Sequence, residues 1–133
     1  MKMMSLRRTG ICFLVLGILP LDVIAPPARA QDYPNQTLKI IVPFVAGGGV
    51  DVAARIIAPK LGEELGQSVI IENRGGAGGM LGAAAVAQAS PDGYTLLVGT
   101  GSTHGTNSNV YARITYDPVR DFVPIVQIGR AHV

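Results

Sequence analysis

Three glycine-rich segments, each placed directly after a short aliphatic run, constrain the fold of this chain more than any other feature. The runs Leu38–Phe44, Gln67–Glu72 and Tyr94–Val98 have the composition of buried strands. Because segments with helical character separate them, the order predicts an α/β fold with a parallel sheet and helices on both faces. The carboxyl ends of parallel strands meet at one edge, where open α/β sheets bind ligands. All three glycine segments should therefore lie together at that edge.

The segment between the first two strands predicts a helix over Val50–Leu65, since its apolar residues recur at helical spacing. Asp51 falls in the first turn, where a negative charge is favourable. Pro59 interrupts the pattern. Because proline clashes with the preceding turn of a helix, we expect a kink or a break near residues 55–58.

The remaining segments are assigned by composition. Met80–Ala89 is alanine-rich and predicts a second helix, thin enough to pack closely on the sheet. Residues 99–109 are rich in glycine, serine, threonine and asparagine, which predicts a loop. A turn at 116–118 is expected to precede a further strand at residues 123–127.

Residues 1–30 are typical of a secretory signal peptide. Met1–Arg8 is basic, and Ile11–Leu21 is apolar but too short to span a membrane. Ala28–Ala30 fits the small-x-small cleavage pattern, so we expect cleavage after Ala30 and a periplasmic location. The alternative is an uncleaved anchor helix, and the three prolines between residues 20 and 27 argue against it.

Removing this segment changes the charge of the chain. The 133 residues include 11 basic and 9 acidic groups, whereas residues 31–133 keep 7 and 8. The net charge falls from +2 to −1, so binding to nucleic acid has no electrostatic support. The single cysteine, Cys12, lies in the signal segment, which excludes disulfides and thiol chemistry from the mature chain. His104 and His132 are far apart, so we predict no metal site and no cofactor.

The glycine segments favour an anion. The first, at residues 44–50, precedes a helix whose leading N–H groups lack intrahelical acceptors and carry partial positive charge. Neither G-x-x-x-x-G-K-[ST] nor G-x-G-x-x-G occurs in these segments, and Arg74 is their only cation. Uncharged donors suit a carboxylate better than a phosphate. They are Asn73, Thr100, Ser102, Thr103 and Asn107. Alternatively, the glycines serve only to let helices pack closely on strands.

An enzyme is the second hypothesis, because Ser102, His104 and Asp51 supply the residue types of a nucleophilic triad. Ser102 and His104 are only two positions apart, and the chain has no G-x-S-x-G elbow. We therefore favour a binding protein without enzymatic activity over a small exported α/β hydrolase that uses Ser102 and His104. Replacing His104 by alanine separates the two, since a hydrolase would lose turnover while a receptor would keep most of its ligand affinity.

Five segments in register resemble the solute receptors of the tripartite tricarboxylate transporter family, the Bug-type periplasmic binding proteins. They are Ile41–Phe44 with Gly47–Asp51, Glu72–Gly79, Ser90–Leu97, Gly99–His104 and Tyr116–Phe122. The resemblance implies the parallel-sheet lobe of a two-lobed type II periplasmic binding protein. Such a receptor is a monomer that closes around a small carboxylate metabolite and passes it to the membrane permease subunits of the transporter.

The resemblance also implies which residues bind. Residues 44–51 and 99–104 would hold ligand carboxylates through backbone N–H groups, hydroxyls and bridging water. Asp51 would repel a carboxylate, so an orienting role is favoured for it. Citrate-like, dicarboxylate, aromatic and amino-acid ligands all remain open. The implied ligand-binding residues are Phe44, Ala46, Gly47, Gly48, Gly49, Asp51, Asn73, Ala77, Thr100, Ser102, Thr103 and His104.

Receptors of this family are much longer than this chain. Residues 31–127 are therefore expected to form a partial N-terminal lobe, truncated before the second lobe, and residues 128–133 a non-native tail that departs from the family pattern. Interdomain clefts gain affinity by burying most of the ligand surface. A single lobe is then expected to bind carboxylates weakly or not at all.

Overall fold

The computed structural model describes residues 33–129. The signal peptide predicted at residues 1–30 lies outside the described residues, as do residues 130–133 of the predicted tail.

Three parallel strands form the sheet. They are β1 (Leu38–Val42), β2 (Val69–Asn73) and β3 (Thr95–Leu97), and their order is β2-β1-β3. The central strand β1 is the most buried, with Leu38 at 1% exposure and Val42 at 0%. The prediction of a parallel α/β sheet is confirmed. Each observed strand is one or two residues shorter than the run predicted for it, and β2 ends at Asn73, one residue after the predicted end.

Two helices cover opposite faces of this sheet, as predicted. Helix α1 (Gly49–Leu65) packs through Ala54 and Ala58 on the face that carries Ile40 and Val42. Helix α2 (Met80–Ala87) packs through Ala83 and Ala84 on the other face, beside Leu97. Since successive side chains of a strand point to opposite faces, each face of the three strands receives its own small-residue helix surface.

Helix α1 continues through Pro59 as one element, so the predicted break is wrong. Proline removes a single backbone hydrogen bond, while Ala58 and Leu61 on either side of it still pack against the sheet. Packing therefore holds the helix together across the proline. Gly66, with φ of 64°, then ends it.

The segment predicted as a loop at residues 99–109 is largely helical. A π-helical turn at Ser102–Thr106 leads into a short helix, α3 (Asn107–Val110). The Thr103 hydroxyl bonds to both the N–H and the carbonyl of Thr100, which holds the start of this turn. Composition indicated a loop because these small polar residues have weak helix propensity, and local side-chain bonds overrule it.

Two further predictions need correction. Helix α2 ends at Ala87, two residues before the predicted Ala89. The strand expected at residues 123–127 is absent from the described part of the chain, where Val123 is 88% exposed and Val126 78%. A strand needs a neighbour for its backbone hydrogen bonds and a surface for its apolar face, and this segment has neither in the described structure.

Replacing Gly82 by alanine is expected to destabilise the fold. A Cβ at this buried position would lie 2.8 Å from Pro43 Cα and 2.8 Å from the Arg74 carbonyl oxygen. The clash should lower the free energy of unfolding in urea by about 1–3 kcal/mol. In a helix without such contacts, the same change would raise it by about 0.5–1 kcal/mol.

The matched control is Gly105→Ala, at an exposed position where a Cβ would have no neighbour within 4 Å. Equal unfolding free energies for the two variants would contradict the close approach of α2 to β1.

Candidate functional site

Three loops leave the carboxyl ends of the strands. The first loop comprises residues 43–48 after β1, the second loop residues 74–79 after β2, and the third loop residues 98–101 after β3. Since the strands are parallel, the loops emerge at one edge of the sheet. This edge is the candidate site.

The loops touch one another there. The backbone of Gly75 packs on Phe44, so that a Cβ at Gly75 would lie 3.3 Å from the Phe44 carbonyl carbon. Gly79 lies between Phe44 and Thr103, and a Cβ on it would meet the Thr103 methyl at 2.8 Å. The prediction that the glycine segments converge on one edge is confirmed.

The Asp51 carboxylate joins the first loop to α1 and β2. It is 1% exposed. One oxygen, Oδ2, accepts hydrogen bonds from Gly47 N–H at 2.8 Å and Arg55 Nε at 2.8 Å. The other, Oδ1, accepts from Asn73 Nδ2 at 2.9 Å. All of these bonds favour the ionised form. The side-chain bond from Arg55, the Gly47 N–H and the Asn73 amide therefore hold the pKa of Asp51 far below its ordinary value of 3.8.

Asn73 ties the second loop into the same set of bonds. Its Nδ2 also donates to the Phe44 carbonyl at 3.2 Å, and its Oδ1 accepts from Arg55 Nη2 at 3.2 Å. The side chains of Asp51 and Asn73 therefore direct their polar atoms at the protein. This arrangement agrees with the orienting role expected for Asp51.

The first turn of α1 presents backbone donors at the site edge. Gly48, extended with φ of −74° and ψ of 164°, precedes the helix, and within residues 33–129 no side chain caps it. The leading N–H groups of a helix have no intrahelical acceptor. Gly47 and Gly49 have open space where a side chain would be. The start of α1 can therefore accept an anion at close range.

The second loop has a left-handed backbone. Gly76, Gly78 and Gly79 have φ of 133°, 64° and 90°, and Ala77 between them has φ of 48°. A non-glycine residue in this region costs about 1–2 kcal/mol. Gly79 N–H donates to the Gly76 carbonyl at 2.9 Å across the exposed Ala77, and Asn107 Nδ2 supports the turn by donating to the Gly78 carbonyl at 3.0 Å.

The only arginine of the loops, Arg74, is held in an ion pair. Its Nε donates to the Glu72 carboxylate, which also pairs with Lys39 Nζ at 3.1 Å. Arg74 and then Lys39 lower the pKa of Glu72 from its ordinary value. The loop arginine is therefore already engaged by a carboxylate, and the other donors of the loops are backbone N–H groups and neutral side chains.

In the third loop and the turn after it, Thr103 has a structural position. It is 1% exposed, and its Oγ1 lies 2.8 Å from His104 Nδ1. The Tyr116 hydroxyl donates to the Thr103 carbonyl at 2.6 Å. Burial lowers the pKa of His104 below its ordinary value of 6.5. Its ring therefore stays neutral at neutral pH and packs edge-on against Phe122.

This geometry gives no support to a hydrolase. In the described structure the imidazole of His104 bonds to the buried Thr103 hydroxyl, and Ser102 makes no side-chain hydrogen bond. A nucleophilic serine needs a base within hydrogen-bond reach. Among residues 33–129 there is also no cluster of three metal-ligating side chains. None of the helices described in this range is long and apolar enough to cross a membrane.

Comparison with known proteins adds to this geometry. A family model described as "Tripartite tricarboxylate transporter family receptor" matches residues 53–133. Protein BugT of Bordetella pertussis is 41% identical over 107 residues, which cover 80% of this chain and 33% of the relative.

The chain belongs to the tripartite tricarboxylate transporter receptor family.

Two solved structures are similar at the level of the fold. MatC from Rhodopseudomonas palustris, solved with bound malate, is 44% identical with a TM-score of 0.67, covering 69% of this chain and 31% of that one. A second R. palustris protein, solved with adipate, is 45% identical with a TM-score of 0.63, covering 65% and 29%. The chain thus spans about a third of the length of the family members it matches. The predicted resemblance and the α/β fold are both confirmed.

Several of the predicted site residues lie around the common edge. Phe44, Gly47, Asp51 and Asn73 are joined by direct hydrogen bonds. Ala46, Gly48 and Gly49 belong to the same turn. Thr100 lies in the third loop, Ser102, Thr103 and His104 lie in the helical turn that follows it, and Ala77 lies in the second loop.

Sequence reasoning missed two residues of this edge. The first is Arg55. Its signal in the sequence is the spacing of four residues from Asp51, at which an acid and an arginine on a helix form an ion pair. The hydroxyl of Tyr116 reaches the helical turn at Thr103 from 13 positions away. That contact depends on tertiary packing and has no local sequence signal.

The Asp51 bonds predict a specific pH dependence. Because the folded pKa lies below 3.8, the unfolded chain takes up this proton at a higher pH than the folded chain. The free energy of unfolding should therefore fall as the pH drops below about 5, and it should continue to fall until the folded carboxyl is protonated. In Asp51→Asn the free energy of unfolding should fall less steeply with decreasing pH, because the uptake of one proton on unfolding is removed. Urea unfolding across this pH range measures the difference.

Glu64→Gln is the control, because it removes a carboxylate on the same helix that is 70% exposed. We expect it to leave the Asp51-dependent part of the decline in place. Identical curves for Asp51→Asn and the unmodified chain would show that the Asp51 bonds do not form.

Proposed function

We propose that this chain supplies the carboxylate-binding loops of an extracytoplasmic solute receptor, which captures a small carboxylate for a tripartite tricarboxylate-type transporter. The observation that carries this proposal is the uncapped start of α1. This helix start lies at the edge where the three loops meet. Arg55 pairs with the buried carboxylate of Asp51 beside it.

Tight binding of an anion requires several hydrogen-bond donors. One helix start contributes about 0.3–2 kcal/mol to holding an anion, whereas micromolar affinity needs about 8 kcal/mol. Further donors must come from elsewhere on this edge, including the hydroxyls of Ser102 and Thr100. Weak binding by the chain alone, in the millimolar range, is the corresponding expectation.

Relatives support the ligand class. MatC was solved with malate and the second R. palustris protein with adipate, and both ligands are dicarboxylates. We propose that this chain also binds a dicarboxylate, and dicarboxylates are the first ligands to test. Closest to the ligand we place the backbone of residues 46–49, the ring of Phe44 and the side chain of Ser102, with Ala77, Thr100 and His104 around them.

The proposal includes the wider setting of the receptor. Membership of this family supports a periplasmic, monomeric binding protein without enzymatic activity, whose partners are the permease subunits in the membrane.

Titration followed by amide NMR tests the proposal. Malate added to the 15N-labelled chain should shift the amide resonances of Gly49 and Val50 and leave unchanged those of Val69 and Ile70, at the end of β2 away from the loops. In Gly49→Pro the leading N–H is removed. The helix should survive, because proline suits the first helical position and Gly48 already has the extended conformation that precedes proline. Malate affinity should fall about tenfold, since a hydrogen bond to a charged group contributes about 1.5–3 kcal/mol.

Gly49→Ala is the matched control, because it keeps the N–H and adds a methyl into open space. Both variants add a Cβ, so they differ at this position in the N–H, and Gly49→Ala should bind malate about tenfold more tightly than Gly49→Pro. If malate and adipate shift no resonance, or if the proline and alanine variants bind equally well, the proposal is wrong.

A further inference from the structure

We propose that Asp51, Arg55 and Asn73 are positioning residues. They fix the first loop against the second and keep the start of α1 free of net negative charge, so that a ligand anion can approach it. This inference rests on the proposed carboxylate capture. It adds a role for Arg55 and assigns Asn73 to the scaffold of the site.

The three side chains bond to one another in a closed ring. Arg55 Nε lies 2.8 Å from Asp51 Oδ2, Asn73 Nδ2 lies 2.9 Å from Asp51 Oδ1, and Arg55 Nη2 lies 3.2 Å from Asn73 Oδ1. Two of the residues belong to α1 and the third to the end of β2. The ring therefore joins a helix to a strand at the edge where both meet the loops.

Two further bonds extend from the ring into the first loop. Gly47 N–H donates to Asp51 at 2.8 Å, and Asn73 donates to the Phe44 carbonyl at 3.2 Å. The loop is thus held at two points, three residues apart. Next to these points, Gly48 N–H donates to the Val45 carbonyl at 3.4 Å, and the Gly48 carbonyl accepts from Val52 N–H at 2.9 Å at the start of α1.

The charge arrangement has a consequence for an anion. Asp51 is in the first turn of α1, beside the N–H groups that would bind a carboxylate. Alone, its negative charge would oppose the ligand. Arg55 lies one turn further along the helix and balances it, and the Arg55 side chain remains 53% exposed whereas that of Asp51 is 2% exposed. A ligand therefore meets a neutral pair and the partial positive charge of the helix start.

The first arm of the test needs no ligand. In Asp51→Asn, the Gly47 amide should exchange its hydrogen faster, and the side-chain amide resonances of Asn73 should move. Lys60→Gln, on the same helix and 69% exposed, should change neither. If the Gly47 and Asn73 signals are unaffected by Asp51→Asn, the ring does not hold the loop and the inference is overturned.

The second arm compares malate, with two carboxylate charges, and acetate, with one. In Arg55→Gln the buried Asp51 charge is left uncompensated, so the ratio of malate to acetate affinity should fall about fivefold. In Asp51→Asn it should rise, and in the double variant Asp51→Asn/Arg55→Gln it should return to that of the unmodified chain. Lys60→Gln removes the same unit charge from the chain and should leave the ratio unchanged.

A ratio is informative because loosening of the loop alone lowers both affinities together. Equal losses for malate and acetate in Arg55→Gln, or no recovery in the double variant, would overturn the electrostatic role. A third outcome is that Asp51→Asn changes the Gly47 and Asn73 signals as expected but the unmodified chain binds neither acid. The proposed function then fails, and the positioning role in ligand capture fails with it. The ring is then a structural feature only.

Discussion

The buried carboxylate of Asp51 is the interaction on which the site depends. An ionised carboxylate removed from water is costly unless it is paired and fully hydrogen-bonded. Arg55, Asn73 and Gly47 satisfy this one together, and each comes from a different part of the edge: the helix, the end of β2 and the first loop. Gly47 and Arg55 share Oδ2, whereas among the described residues Asn73 is the donor to Oδ1, so its loss would leave that oxygen without a partner. The conformation of the first loop is therefore tied to the pairing of β1 with β2.

Glycine serves two purposes in this chain, and the structure separates them by position. At Gly75, Gly79 and Gly82, a side chain would meet backbone or side-chain atoms at 2.8–3.3 Å, so these glycines permit close packing. At Gly47 and Gly49 a side chain would meet nothing within 4 Å. Gly47 has φ of 82°, a left-handed conformation that itself favours glycine. At Gly49 packing does not explain the glycine, and the proposed approach of a ligand to its backbone would.

The alternation of strands and helices along the chain and the common edge could be predicted from the sequence, because aliphatic runs and helical spacing are local signals. The helical turn at residues 102–106 could not, since its stability comes from Thr103 bonding back to Thr100 and from the Tyr116 hydroxyl. The pairing of Arg55 with Asp51 has a local signal, but the bond between Arg55 and Asn73 has none. These two residues are 18 positions apart in the chain, and the parallel pairing of β1 and β2 brings them together. The prediction of a strand at residues 123–127 was wrong because local composition was not enough. The composition of this segment suits a strand, but the described part of the chain has no neighbouring strand with which it could pair.

The same bonds explain why a carboxylate suits this edge better than a phosphate. Both arginines near the loops are already paired, Arg55 with Asp51 and Arg74 with Glu72. Without an unpaired arginine in the loops, what remains is partial charge on backbone N–H groups and hydroxyls. A phosphate dianion is usually held by a full cation as well as by such donors. A carboxylate group carries a single charge over two oxygens, which a few converging N–H and O–H donors can satisfy. Pairing the cations within the fold thus favours the class of ligand that we propose for this chain.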